Sequence, residues 1–140
     1  MSVPVFVDTN ILVYAFAKDE DGRHLKARTI VEELLDKQIA TVSVQVLKEF
    51  YAVVTRKVKK PLPGRDAIAI IKDLNLACRV VDDTLPQLDR ALELLEAYGL
   101  SIWDASILAA AEAGRCEDLY TEDLTDGAII GSVRVTNPLL

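Results

Sequence analysis

Short, almost purely apolar runs alternate along the chain with longer segments of helical periodicity. Val3 to Val7, Ile39 to Val44, Cys78 to Val81 and Leu119-Tyr120 read as buried strands, and Ser132 to Val135 as a fifth. The segments between them read as helices. Asn10 to Ala17 ends in the polar loop Lys18 to Gly22, and Ala27, Ile30, Val31, Leu34 and Leu35 then recur at helical spacing. Leu47, Phe50, Tyr51, Val54 and Val58 mark the helix after the second strand. Pro61, Pro63 and Gly64 break it before a helix over Asp66 to Leu76. Leu88 to Tyr98 is closed by Gly99, and Ile102 to Ala113 is apolar almost all round, which predicts a buried helix. Apolar strands alternating with helices predict a parallel sheet of four to five strands covered on both faces, in one domain of 140 residues.

Such sheets bind ligands outside the carboxyl ends of their strands. Four acids fall at that edge. Asp8 directly follows the first strand and interrupts the apolar run VFVDTNILVY. Glu49 lies in the first two turns of the helix after the second strand, beside Val46 and Val53. Asp104 begins the apolar helix in SIWDA, and Asp123 follows the fourth strand in YTEDLTDG. Each acid also has a purely structural reading. Asp8 can cap the first helix, and Glu49 can be a solvated flank. Ser101-x-x-Asp104 is close to a capping box, and Asp123 can be a turn residue beside Glu122 and Asp126. Their common edge gives them joint meaning. Two carboxylates about 4 Å apart repel by roughly 4 kcal/mol at an effective dielectric near 20, so such a cluster takes up protons or binds cations. Oxygen ligands without His or Cys suit Mg²⁺ or Mn²⁺, ions that hold a phosphate oxygen and activate water.

Taken in order, VDTNILVYA at 7–15, Glu49 in VLKEFYAV, YGLSIWDASILAAA at 98–111, LYTEDLTDG at 119–127 and VTNP at 135–138 resemble the PIN-domain family. The likeness is greatest to the VapC-type toxins of toxin–antitoxin pairs, and it spans essentially the whole chain. It implies a three-layer α/β/α sandwich and a ribonuclease dependent on one or two Mg²⁺ or Mn²⁺ ions. The acidic quartet of the family maps onto Asp8, Glu49, Asp104 and Asp123 as catalytic and metal-binding residues. Asn10 and Thr121 fall where the family keeps polar residues near the metal, and Asp126 is an auxiliary acid outside the quartet. Relatives of this kind form homodimers and are silenced by a small antitoxin.

The net charge of −6 looks unsuited to a nucleic-acid substrate, but two divalent ions would bring it to −6 + 4 = −2. Five of the 16 basic residues, Arg56, Lys57, Lys59, Lys60 and Arg65, stand within ten positions and are candidate RNA contacts. A solvated helix end explains the same residues equally well. Leu12, Tyr14 and Phe16 could meet a partner, although core packing is the simpler expectation for them; for Trp103 burial is the simpler expectation and base stacking the alternative. His24 reads as a surface or helix-end residue, and Cys78 and Cys116 as small core residues. No apolar stretch approaches a membrane span, and Asp8, Thr9 and Asn10 interrupt the first apolar run. A cytoplasmic location is therefore expected.

Other classes fit less well. A receiver-like domain needs an acid pair after the first strand and a late lysine, but the last lysine here is Lys72. An Asp-x-Asp phosphatase fails at Asn10, and no glycine-rich phosphate loop is present. The alternatives left open are a PIN-like RNA- or protein-binding module without turnover and an RNA-processing nuclease outside toxin–antitoxin systems.

Overall fold

The computed structural model describes residues 3–18 and 21–140, so Asp19 and Glu20 of the expected polar loop lie outside the described residues. A twisted sheet runs through the centre in the order β3-β2-β1-β4-β6-β5. Its strands are β1 (Val5–Val7), β2 (Ala40–Ser43), β3 (Arg79–Val81), β4 (Asp118–Tyr120), β5 (Ile129–Ile130) and β6 (Val133–Thr136). All neighbours pair in parallel except β5 and β6. The helices are α1 (Thr9–Phe16), α2 (Arg23–Asp36), α3 (Val44–Val54), α4 (Gly64–Ala77), α5 (Leu85–Tyr98) and α6 (Ile102–Ala113). α1 packs on α2 and α3, and α3 on α4, while α6 packs on the sheet and α5 packs on α6. The architecture is an α/β/α sandwich.

Among the described residues, six strands stand where four to five were expected. The addition is β5, two residues long, which turns back through Gly131 to pair with β6. Two residues are too few for an alternating pattern to register. Gly131 has φ 60°, and a Cβ there would collide with the carboxylate of Glu112, so this turn favours glycine. Glu112 closes the corner: it takes the Arg90 guanidinium at 2.7 and 3.2 Å and the Ser132 backbone N–H at 3.0 Å. α5 begins at Leu85 rather than Leu88, because Thr84 caps it by accepting the Gln87 N–H. α3 stops at Val54, which leaves Val58 outside it.

α6 is buried along Ala105 and Ile107–Ala111, in line with its all-round apolar sequence. Phe6, Ile11, Phe50, Leu108 and Leu119 are fully enclosed, and Phe16 meets Phe50 edge to face at 5.7 Å. Leu12 is enclosed as well, and Phe16 is half-buried, so core packing accounts for both. Cys116 is buried, Cys78 is half-buried and both are free thiols. Trp103 departs from expectation: it is 65% exposed. Phe50 lies next to Glu49 on α3, so its packing also seats the site. Phe50→Ala is expected to lower stability by about 3–5 kcal/mol in a chemical denaturation titration.

Candidate active site

The strand register creates the site. Val7 pairs with Tyr120, and the ladder continues as the Asp8 N–H donates to the Tyr120 carbonyl at 3.0 Å. Asp8 and Thr121 therefore leave the sheet side by side. Both are buried, and the Thr121 hydroxyl donates to Asp8 Oδ2 at 2.9 Å. Asp8 Oδ1 accepts the Thr9 N–H at 2.7 Å as the N-cap of α1. Thr121 Oγ1 also accepts the Asp123 N–H at 3.1 Å and the Asn10 side-chain amide at 3.3 Å. One enclosed hydroxyl thus ties together three of the polar positions singled out from the sequence.

The other two acids arrive from helices. Ser43 ends β2 and caps α3 by accepting the Val46 N–H, which starts the helix that carries Glu49 toward α1. The Thr9 hydroxyl donates to Glu49 Oε2 at 3.0 Å, and Gln45 Nε2 donates to Oε1 at 2.9 Å. Ser101 Oγ accepts the Asp104 N–H at 3.1 Å, so the serine does the capping of α6. Asp8, Glu49, Asp104 and Asp123 line one cavity of about 430 Å³, together with Asn10, Lys57 and Trp103.

Charge crowds this cavity. Burial raises the pKa of Asp8 from 3.8 to about 6, against the lowering effect of its Thr121 and Thr9 hydrogen bonds. The negative charges of Asp123 and Glu49 add to the rise. Asp123 is raised as well, first by burial and then by Asp104, Glu122 and Glu49, while the Asn10 amide favours its charged form. Asn10 Oδ1 is buried and accepts no hydrogen bond. Among the described residues, no three His, Cys, Asp or Glu side chains form a ready-made metal cage.

The remaining sequence candidates separate. Asp126 Oδ1 accepts the Asn137 N–H at 2.8 Å and does not line the cavity. Of the basic residues, Lys57 borders the acids and Lys59 borders an adjoining cavity beside Tyr14 and Lys18. Arg56 and Lys60 line neither, and Arg65 is 3.9 Å from the Asp66 carboxylate. His24 Nδ1 lies 2.8 Å from the Tyr14 carbonyl and does not line the acidic cavity. Sequence reading passed over Thr9, Gln45 and the Tyr14–Glu122 pair, whose hydroxyl donates to the carboxylate at 2.7 Å. Gln45 stands four residues before Glu49, a spacing that places both on one helix face and could have revealed it.

The folded chain holds the Asp8 proton more tightly than the unfolded chain. The stability from this group is therefore complete below about pH 4 and is lost as pH rises through about 6. With EDTA present, Asp8→Asn is expected to be more stable than wild type near neutral pH, by up to about 3 kcal/mol. The difference should close near pH 4 in paired thermal melts. A pH-independent difference would mean that desolvation of Asp8 is not its source.

A family model for the PIN domain matches residues 5–125. No curated protein matches the chain in sequence. In structure it is similar to VapC20 of Mycobacterium tuberculosis, a sarcin-ricin loop cleaving toxin, with TM-score 0.67 and 23% identity over 93% of this chain and 98% of that one. A toxin–antitoxin complex from Klebsiella pneumoniae matches with TM-score 0.67 and 23% identity, over 96% and 97% of the two chains. VapBC2 of Rickettsia felis, bound to a DNA fragment from its promoter, matches with TM-score 0.66 and 22% identity over 95% and 97%. At these identities the structural likeness is one of fold, and the family match is one of sequence over most of the chain. Strand register, acid positions and family match agree: the chain belongs to the PIN-domain family.

Proposed function

We propose that this chain is a metal-dependent ribonuclease that hydrolyses RNA phosphodiester bonds and serves as the toxin of a toxin–antitoxin pair. The observation that carries the reading is the convergence of Asp8, Glu49, Asp104 and Asp123, from four separate elements, on one cavity. Family membership and the toxin fold of the structural neighbours support the same reading. Chemistry favours Mg²⁺ or Mn²⁺: the donors are all oxygen, the carboxylates are crowded, and Asn10 Oδ1 lacks a donor. Such ions keep several waters and need only one or two direct carboxylates, so a ready-made cage is not required.

Asp8, Asp104 and Asp123 would hold the ion or ions, with Glu49 completing the set or orienting the attacking water. The ion, when bound, supplies charge neutralisation for the phosphoryl oxygens and the leaving oxygen. The chain's own part is positioning. Thr121 keeps Asp8 and the Asp123 backbone in register, and Thr9 and Gln45 hold both oxygens of Glu49. Lys57, which lines the cavity, would meet a backbone phosphate. As in the toxin–antitoxin complexes to which the fold is similar, the partner would be a small antitoxin. A homodimer in the cytoplasm is the proposed setting, and the 140 residues act as one PIN unit.

End-labelled tRNA and unstructured RNA, incubated with the protein in Mg²⁺, Mn²⁺ or EDTA, test the reading. Wild type is expected to cut only with metal, and Asp8→Asn to lose at least about 100-fold in rate, a loss typical of removing a group that stabilises the transition state. Equal cutting by both proteins would overturn the assignment. Metal-dependent binding without cutting would favour a binding module. For Lys57→Ala, RNA binding should weaken and the log–log salt slope should become shallower by about 0.7, the value for one single-strand phosphate contact. An unchanged slope would remove Lys57 from the RNA path.

A further inference from the structure

Trp103 is the single tryptophan of the chain, and it is 65% exposed although it sits in the first turn of α6 next to Asp104. An indole held in that position leaves a large apolar face in water. It stands on a divide. On one side is the acidic cavity. On the other is a groove of about 380 Å³ between the starts of α5 and α6, walled by Asp83, Gln87, Leu88 and Ile102 among others. Trp103 and Gln45 are the two residues that line both, so the groove continues the acidic cavity across the indole.

Charge decides which part of a nucleotide suits which side. Lys57 borders the acidic cavity, where the phosphodiester would react. The groove has one acid, Asp83, and no lysine or arginine among its lining residues, so it disfavours a phosphate. An uncharged base suits it, with a π-face for the indole and an edge for the Gln87 amide, which both donates and accepts. We propose that Trp103 is the stacking platform for a nucleobase flanking the scissile phosphodiester, and that the groove beyond it is the base-edge subsite. This rests on the ribonuclease reading and narrows its substrate class. The target presents unpaired, splayed bases, as single strands and loops do, because a base stacked in a duplex offers no free face to an indole.

Leu85, Leu88 and Leu92 are also exposed on α5, so a second copy of the chain is the competing cover for this surface. The base is favoured because Trp103 forms a wall of the acidic cavity itself.

The single tryptophan makes the test direct. A short unstructured RNA, and the same length of backbone with abasic sites, are titrated into full-length Asp8→Asn in Mg²⁺ while Trp103 emission is read. The base-bearing RNA is expected to quench the emission saturably, and the abasic one to bind more weakly without quenching. By gel shift in the same background, Trp103→Ala should bind roughly 5- to 150-fold more weakly, the range for loss of one stacked base, with Trp103→Phe recovering most of that. Wild-type cleavage is followed in parallel. Unmoved emission and undiminished Trp103→Ala binding, with cleavage intact, overturn the platform and leave the nuclease reading standing. Quenching without any cleavage supports the platform and overturns the nuclease reading. Emission that shifts with protein concentration but not with RNA, together with a changed oligomeric state in Trp103→Ala, assigns the indole to a second copy and overturns the proposal.

Discussion

The hydrogen bond from the Thr121 hydroxyl to Asp8 Oδ2 is the contact on which the rest of the site depends. It exists because β1 and β4 pair in parallel with Val7 opposite Tyr120, so the next residue of each strand emerges at the same height on the same edge. A one-residue slip would turn the buried faces of these short strands the other way and part the two side chains. From that bond the arrangement spreads outward. Thr121 receives the Asp123 N–H, Asp8 caps α1, and α1 presents Thr9 to Glu49. Backbone register is thus converted into side-chain position with few movable parts.

The structural and chemical readings of these acids turn out to be compatible. Asp8 caps a helix with one oxygen and takes the Thr121 hydroxyl with the other, in a place where burial still raises its pKa to about 6. The cap lowers that pKa and desolvation raises it, and desolvation is the larger effect. At Asp104 the two tasks are divided. Ser101 serves the helix end, and the carboxylate of Asp104 borders the cavity. A capping motif beside a candidate catalytic acid therefore does not argue against catalysis: a helix start needs an acceptor, and a cation site needs a carboxylate, in the same few residues.

Around this centre the polar support is neutral near the acids and charged farther out. Gln45 and Thr9 donate to Glu49 without adding charge. At the rim, Arg23 reaches the Tyr14 hydroxyl at 2.8 Å, stacks over its ring at 5.4 Å and lies 3.9 Å from Glu122. Neutral donors at the centre leave the negative potential of the acids available to a cation, and an arginine there would cancel it. The basic residues after α3 stay outside that centre, with Lys57 alone at its edge.

Local pattern determined much of this protein. The alternation of strands and helices, the buried character of Ile102–Ala113 and the placement of four acids at strand ends and helix starts were all readable, because periodicity and chain order carry them. Only the tertiary structure decided the rest. The two-residue β5 is held by its partner strand and by the Glu112 corner, and nothing in Ile129-Ile130 alone specifies an antiparallel return. The hub at Thr121 depends on a register between residues 113 positions apart in the chain. Trp103 was expected inside on hydrophobicity and lies outside, since the first turn of α6 opens onto the mouth of the acidic cavity. Composition measures how much a side chain favours burial, but which side of a helix faces the core is settled by the elements packed against it.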